Sequence, residues 1–282
     1  MLNDYITMLR PRQWYKNLVI LIAIFFSGQL FYLDKLTATL IGLVALCTIS
    51  STNYIINDLV DRDKDIKNPE KQNRPITTGR ITMAHAVIIA AILFIISLTI
   101  SYNLSSYFFL AILSLFIITT LYTFLLKNEP LVDIIIISIL FVIRAVSGAF
   151  IINVYISPWL IVGTFFLSIF LSLGKRVSEN KLLDKPQQHR KTLEFYTEEL
   201  SKSLLMSAAT VLIVSFSLYS FLAEHQSIIF ALPVFFYLII RYLQLIYSSS
   251  QIPRHPELIF MDLRFIIGMG LMIMLSLTFI YA

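Results

Sequence analysis

The chain has 282 residues, 57% of them hydrophobic and only 14% charged, with a formal net charge of +5. A water-soluble domain is about 45–50% apolar and about 25% charged, so these proportions exclude one and define an integral membrane protein. The single cysteine, Cys47, excludes an intramolecular disulfide and a cysteine-based metal centre. The positive charge is read loop by loop and is not a nucleic-acid signal.

Apolar runs lie at residues 17–34, 36–57, 83–101, 104–125, 131–152, 157–174, 203–222, 228–247 and 262–281. They are about 20 residues long and do not alternate, so they read as nine transmembrane helices and not as strands. The first residues, with Asp4, Arg10, Pro11 and Arg12, do not resemble a cleavable signal peptide. An odd number of spans puts the two termini on opposite sides. With the N-terminus in the cytoplasm, every Lys and Arg except Lys35 and Arg144 falls on the inner side, as the positive-inside rule requires of a multi-pass plasma-membrane protein.

In chain order, the first chemistry-bearing stretch is Arg10-Pro11-Arg12-Gln13-Trp14-Tyr15-Lys16-Asn17. Basic and aromatic residues suit an interfacial anchor, but anchoring alone does not call for Gln13 and Asn17. The second span then runs into Asn57-Asp58-Leu59-Val60-Asp61-Arg62-Asp63-Lys64-Asp65. If the helix continues, at about 100° per residue, Asn57, Asp58, Asp61 and Asp65 share one face and Asp63 points away. Helix C-termini disfavour carboxylates, so the stretch carries a local cost with no local benefit, which marks a site. Crowded carboxylates repel one another in a half-desolvated place. Mg²⁺ relieves that repulsion and is typically held by a few carboxylates plus substrate phosphates.

The loop that follows, Asn68 to Arg80, places Lys71 and Arg74 within a few residues of the carboxylates, an arrangement suited to a pyrophosphate. Tyr122 and Lys127 stand at a cytoplasmic helix end, where a tyrosine belt and a snorkelling lysine are the plainer reading. Asp133 opens the fifth span, and the helix dipole suffices to explain it. Arg144 lies inside that span. Such a position is costly and marks a pathway or a buried polar pair, unless the side chain snorkels outward. Gly174-Lys175-Arg176-Val177-Ser178-Glu179 closes the sixth span, with Lys175, Arg176 and Glu179 on one helical face. Two cations and a carboxylate there could grip phosphate and position a reacting group, against the plain alternative of a Lys/Glu pair. His189, in the polar loop beyond, is a candidate base, although a lone loop histidine is usually solvated.

Together these residues resemble the UbiA superfamily of intramembrane prenyltransferases. The NDxxDxxxD motif of that family is matched by Asn57, Asp58, Asp61 and Asp65. Within it, the chain resembles the decaprenyl-phosphate phosphoribosyltransferase branch through RPRQWxKN (Arg10 to Asn17), the Asn73-Arg74-Pro75 region, and LGKRxxE (Leu173 to Glu179). It lacks the second Asp-rich motif of the aromatic-acceptor members, since only Asp184 falls in that loop. Lys127-Asn128 also departs from the Lys-Arg pair common in quinone-type enzymes.

The resemblance implies one all-α domain over residues 1–282, with nine helices around a lipid-open cavity. Cytoplasmic loops 58–82 and 175–202 would form its polar side. It implies Mg²⁺-dependent transfer of the 5-phosphoribosyl group from 5-phosphoribosyl 1-diphosphate to a polyprenyl phosphate, with release of pyrophosphate. Asp58, Asp61 and Asp65 would bind the metal, and Asp58, Asp61, Lys175 and Glu179 would serve catalysis. Arg10, Gln13, Lys16, Asn17, Asn57, Arg74, Tyr122, Lys127 and Arg176 would contact substrate. Membrane lipid is the expected surrounding and nucleic acid is not a partner; a homo-oligomer is compatible with the sequence. The alternatives are prenyl transfer from a diphosphate to an aromatic or other lipid acceptor, and a polyprenyl-phosphate flippase. A transporter more often sets polar groups near the midplane, on broken helices.

Overall fold

The computed structural model describes residues 2–182, 194–222, 226–248 and 250–281. His189 and Asp184 lie outside the described residues. Helix α1 (Leu2–Leu9) leads through Arg10 into a 3-10 helix, Pro11–Ile20, followed by α2 (Leu21–Phe26). Then come α3 (Leu33–Val60), α4 (Arg62–Ile66), α5 (Met83–Leu104) and α6 (Ser106–Leu121), which ends in a π-helical turn, Tyr122–Leu126. The remainder is α7 (Val132–Ile152), α8 (Pro158–Leu182), α9 (Glu198–Leu222), α10 (Leu232–Tyr247), led by a 3-10 turn at Gln226–Ala231, and α11 (Leu263–Tyr281). The described residues contain no strand.

Eight of these helical segments are long and apolar enough to cross a membrane, among the described residues. The expected first span, 17–34, is not a single α-helix. Arg10 adopts a left-handed conformation (φ 53°), Pro11 follows it, and the chain winds as a 3-10 helix over 10 residues. At about 2.0 Å per residue that covers roughly 20 Å. Of the expected span, however, only residues 17–20 wind as 3-10 helix, since the turns before them carry Arg12 and Lys16, and α2 follows over Leu21–Phe26. A second difference concerns the expected 175–202 loop, because α8 runs on through Lys175 and Arg176 to Leu182.

The chain forms two compact units, residues 1–127 with 140–156, and 128–139 with 157–282. In the first, α5 turns a face of small residues inward: Ala86, Ala90, Ser97 and Ser101 are buried. Lipid tails are as apolar as leucine, so helices associate in a membrane by close approach of small residues and by interhelical hydrogen bonds. Ser97 Oγ accordingly donates to the Ala45 carbonyl of α3 at 2.8 Å. The opposite face of α5 exposes Val87, Ile88, Ile92 and Ile95. Gly148 of α7 lies directly against the Ile20 carbonyl and 3.2 Å from Ala23 Cβ, measured from where a Cβ would stand.

The second unit has a core built at helical spacing. Leu205, Ala208, Ala209 and Leu212 of α9 and Ile239, Tyr242, Leu243 and Ile246 of α10 are all buried in one cluster with Phe170, Leu173 and Val177 of α8. α11 is capped by Asp262, which accepts from the Phe265 amide at 2.8 Å. The same carboxylate is gripped by Arg241 at 3.2 and 2.5 Å. That hydrogen bond, above all, holds the Asp262 carboxyl below its ordinary range.

Two glycines separate packing from propensity. Gly148→Ala drives a methyl into a backbone carbonyl that cannot rotate away, so an overpacking loss of about 1–3 kcal/mol is expected. Gly163→Ala, on α8, meets open space and is expected to leave stability unchanged or raise it by up to about 1 kcal/mol. Thermal unfolding of the two variants in detergent checks the pair; equal melting temperatures would contradict the close approach at Gly148.

Candidate active site

The site in the first unit grows from one polar stripe. Cys47, Ser50, Ser51, Tyr54 and Asp58 lie within about 100° of arc on α3, and Asp61 and Asp65 continue the same stripe if the helical turn is carried on. The backbone carries it on. α3 ends at Val60, yet the Asp61 amide donates to Asn57 O at 2.9 Å, and the Asp65 amide to Asp61 O at 2.8 Å. Asp58, Asp61 and Asp65 are consequently buried, at 2%, 8% and 2% exposure, whereas Asp63 faces solvent. The shared face expected of the three carboxylates is present.

Each carboxylate is neutralised by cations drawn from elsewhere in the unit. Arg10 pairs with Asp58. Arg74 Nη1 donates to Asp58 Oδ1 at 2.9 Å and to Asp65 Oδ2 at 2.6 Å, tying two turns of the stripe together. Lys71 Nζ stands 3.6 Å from Asp65 Oδ1. Lys127 Nζ reaches Asp61 Oδ1 at 2.5 Å. The π-helical turn that begins at Tyr122 delivers that lysine, and its backbone closes through the Lys127 amide to Tyr122 O at 3.0 Å. Single π turns recur at functional positions because they re-aim the next side chain.

The N-terminal 3-10 segment docks along the same stripe. Trp14 Nε1 donates to Ser51 Oγ at 3.0 Å, and Ser51 Oγ to Leu9 O at 2.8 Å. Arg10 stacks over Tyr54, 5.2 Å from the ring centre. Lys16 is partly buried with its ammonium over Tyr15, and Gln13 is also partly buried. Asn17 is 1% exposed. Its Oδ1 accepts from Ser50 Oγ at 3.2 Å and from Arg144 Nε at 3.0 Å, and its Nδ2 points to Cys47 Sγ at 3.5 Å. Arg144 is thus a member of a buried polar pair and does not snorkel. Asn57 is partly buried, and its carbonyl carries the helix across the break at Asp61.

The second unit holds its own charged group at the end of α8. Arg176 is 3% exposed, with Nη1 on Glu179 Oε2 at 2.9 Å and Nη2 on Asp133 Oδ2 at 3.2 Å. Expected as a phosphate contact, Arg176 is instead enclosed between two carboxylates. Asp133, which the helix dipole seemed to explain, is fully buried and also accepts from Tyr196 Oη at 2.9 Å. Tyr196 in turn accepts from the Leu131 amide at 3.0 Å. Burial, and then the Asp133 charge, push the Tyr196 hydroxyl well above its ordinary pKa. Lys175 stays half exposed, 3.9 Å from Glu179. Sequence reasoning missed Tyr54, Asp133 and Tyr196. Only the shared face of Cys47, Ser50, Tyr54 and Asp58 could have signalled the first, and nothing local signals the others.

The donor set suits magnesium in kind: hard carboxylate oxygens, few in number, on a buried face. Among the described residues no three His, Cys, Asp or Glu side chains gather as a ready-made cage. A cation there would draw its remaining oxygens from a substrate phosphate or from water, as magnesium usually does.

The geometry defines an all-helical protein with membrane-spanning segments and a buried cluster of aspartates laced to arginines and lysines. The sequence pattern of the UbiA prenyltransferase family matches residues 17–266, and the chain belongs to that family. It is 32% identical over 226 residues to a decaprenyl-phosphate phosphoribosyltransferase of Mycolicibacterium smegmatis, covering 78% of this chain and 71% of that one. The enzyme of the same name from Corynebacterium glutamicum is 31% identical over 231 residues, covering 80% and 70%. The fold matches a UbiA homolog from Archaeoglobus fulgidus, solved bound to GPP and Mg²⁺, with a TM-score of 0.76 at 22% identity over 99% of this chain and 100% of that one.

Two outcomes follow from the α8 cluster. Asp133→Ala leaves Arg176 buried with one partner fewer, and a loss of roughly 3–5 kcal/mol is expected. Lys175→Ala, at a half-exposed pair, is expected to cost no more than about 1 kcal/mol; denaturant titration of both variants measures the contrast. For Tyr196, a raised folded pKa means that its contribution is complete below about pH 10, the ordinary tyrosine value, and is lost as pH rises through the folded value. Wild type is therefore expected to lose stability above about pH 10 more steeply than Tyr196→Phe. Parallel alkaline unfolding curves would rule this linkage out.

Proposed function

We propose that the protein transfers the 5-phosphoribosyl group from 5-phosphoribosyl 1-diphosphate to a polyprenyl phosphate, releasing pyrophosphate. The observation that carries this reading is the agreement between the buried Asp58–Asp61–Asp65 stripe, with its retinue of Arg10, Lys71, Arg74 and Lys127, and relatives named for this activity over most of their length. An oxygen of the acceptor phosphate forms a bond to the ribose anomeric carbon as that carbon's bond to the diphosphate oxygen breaks. The acceptor is already anionic, so no proton has to be removed.

Asp58, Asp61 and Asp65 would hold Mg²⁺, with Asn57 supporting the turn that presents them. The ion would supply charge neutralisation on the departing diphosphate. Arg10, Arg74, Lys127 and Lys16 are the proposed phosphate contacts, and Gln13 and Tyr122 are proposed to touch substrate as well. Arg10, Arg74 and Lys127 would exchange carboxylate partners for phosphate oxygens, which costs little because both are charge-assisted hydrogen bonds. Lys175 and Glu179 are proposed as catalytic groups, Glu179 being held by Arg176, which Asp133 also grips. The distribution of Lys and Arg supports an active site on the cytoplasmic side of the cell membrane, where a soluble sugar phosphate is available.

The decisive assay combines purified protein, Mg²⁺, radiolabelled phosphoribosyl diphosphate and a polyprenyl phosphate, and follows label into the lipid phase. Labelled lipid, abolished by chelator, is the expected result. Prenylation of an aromatic acid from a prenyl diphosphate, with no ribosylated lipid, would overturn the substrate assignment and leave the family intact. Asp58→Ala and Asp61→Ala are each expected to cut turnover by at least about a hundredfold in protein that still folds. Full activity in either variant would remove the metal role.

A further inference from the structure

Arg144 is the one charged side chain in the described membrane-spanning part of α7 that the transfer reaction has not used. It lies 12 residues after the start of that helix, roughly 18 Å along its axis. Ionisable groups at such depth are rare and mark a binding path or an internal partner. Its recorded partners are all neutral. Nε donates to Asn17 Oδ1 at 3.0 Å, Nη1 to the Leu140 carbonyl at 2.9 Å, and the guanidinium lies 5.8 Å from the centre of the Phe141 ring. Among the described residues no carboxylate pairs with Arg144, and Nη2 has no acceptor.

The surroundings are built to aim this cation and not to neutralise it. Asn17 is locked by Ser50 and Cys47, so it fixes the Nε edge of the guanidinium. Tyr54, on whose ring Arg10 stacks, also feels the charge of Arg144. Taken whole, the residue is partly buried.

Depth decides what an anion at Arg144 could be. The α3 partners of Asn17, Ser50 and Cys47, precede Asp58 by eight and eleven residues, roughly 12–16 Å along the helix. Arg144 is too deep to share the diphosphate assigned to Asp58, Asp61 and Asp65. It is placed for a second phosphate. On the phosphoribosyl-transfer reading, on which this inference rests for its ligands, each substrate carries one: the 5-phosphate of the donor and the terminal phosphate of the lipid acceptor. Both are phosphomonoesters, and a planar guanidinium with a free edge matches two of their oxygens. We infer that Arg144, aimed by Asn17 and flanked by Tyr54, is the binding site for a substrate phosphomonoester.

The test measures binding to the purified full-length protein in detergent, with farnesyl monophosphate and ribose 5-phosphate as probes and farnesol and ribose as uncharged controls. Wild type is expected to bind one monoester well above its uncharged control. Arg144→Gln is expected to weaken that monoester at least tenfold, leave the control unchanged, and raise KM for the matching substrate while leaving the other KM within about twofold. Loss confined to farnesyl monophosphate assigns the lipid phosphate; loss confined to ribose 5-phosphate assigns the donor. Unchanged binding of both monoesters by Arg144→Gln overturns the inference. If that variant does not fold, Arg144→Lys asks the same question: at least threefold weaker monoester binding supports the site, and wild-type binding of both overturns it. Arg144-dependent monoester binding in a protein that transfers no phosphoribosyl group would uphold the anion site and refute only the proposed reaction.

Discussion

The architecture of the first unit depends on charge compensation of three aspartates at the end of α3. A carboxylate away from water is tolerated only when it is paired and hydrogen-bonded. Asp58, Asp61 and Asp65 meet that requirement with Arg10 before the 3-10 helix, Arg74 and Lys71 in the following loop, and Lys127 after the π turn of α6. Four separate stretches of chain are thereby drawn to one point. The irregular elements are the means of reaching it: a left-handed Arg10, a stretched 3-10 segment and a π turn each re-aim a cation toward the stripe.

Such a cluster is a poor source of net stability, because buried ion pairs recover in attraction about what they lose in desolvation. Its value is chemical. Cations already held near carboxylates can exchange partners with an arriving phosphate with little reorganisation, and preorganised charge is the main currency of catalysis at a low-dielectric site. The contrast with α8 is instructive. Arg176 is closed off between Asp133 and Glu179, and Tyr196 covers Asp133 from the other side. That group is built to hold a helix end and a loop in register, while Lys175 alone keeps an accessible charge.

Packing obeys the membrane in both units. Small faces meet where helices approach, as with Gly148 on the Ile20 carbonyl and Gly174 within 3.0 Å of Tyr242 and 2.8 Å of Ile246, again measured from an added Cβ. Branched apolar residues such as Ile88 and Ile92 are left to the lipid side. The Arg144–Asn17 pair puts a charged side chain among these packed helices, and the cost of a charge there is a physical reason to connect it with the reaction.

By itself the sequence determined the helical membrane class, the positions of every expected span but the first, the shared face of Asp58, Asp61 and Asp65, and the family. These are one-dimensional properties: apolar run length, a 3.6-residue period and a spaced motif. Tertiary structure alone decided which cation meets which carboxylate, because Lys127 and Asp61, or Arg176 and Asp133, are separated by dozens of residues and no local pattern links them. It also decided that the first apolar run is broken into a 3-10 end, the short α2 and a turn, since hydropathy reports that a segment is apolar and not how it winds. Arg144 shows the division most plainly. Its cost was legible from its place in an apolar run, whereas its partner, Asn17, became visible only when the 3-10 segment and α7 were packed together.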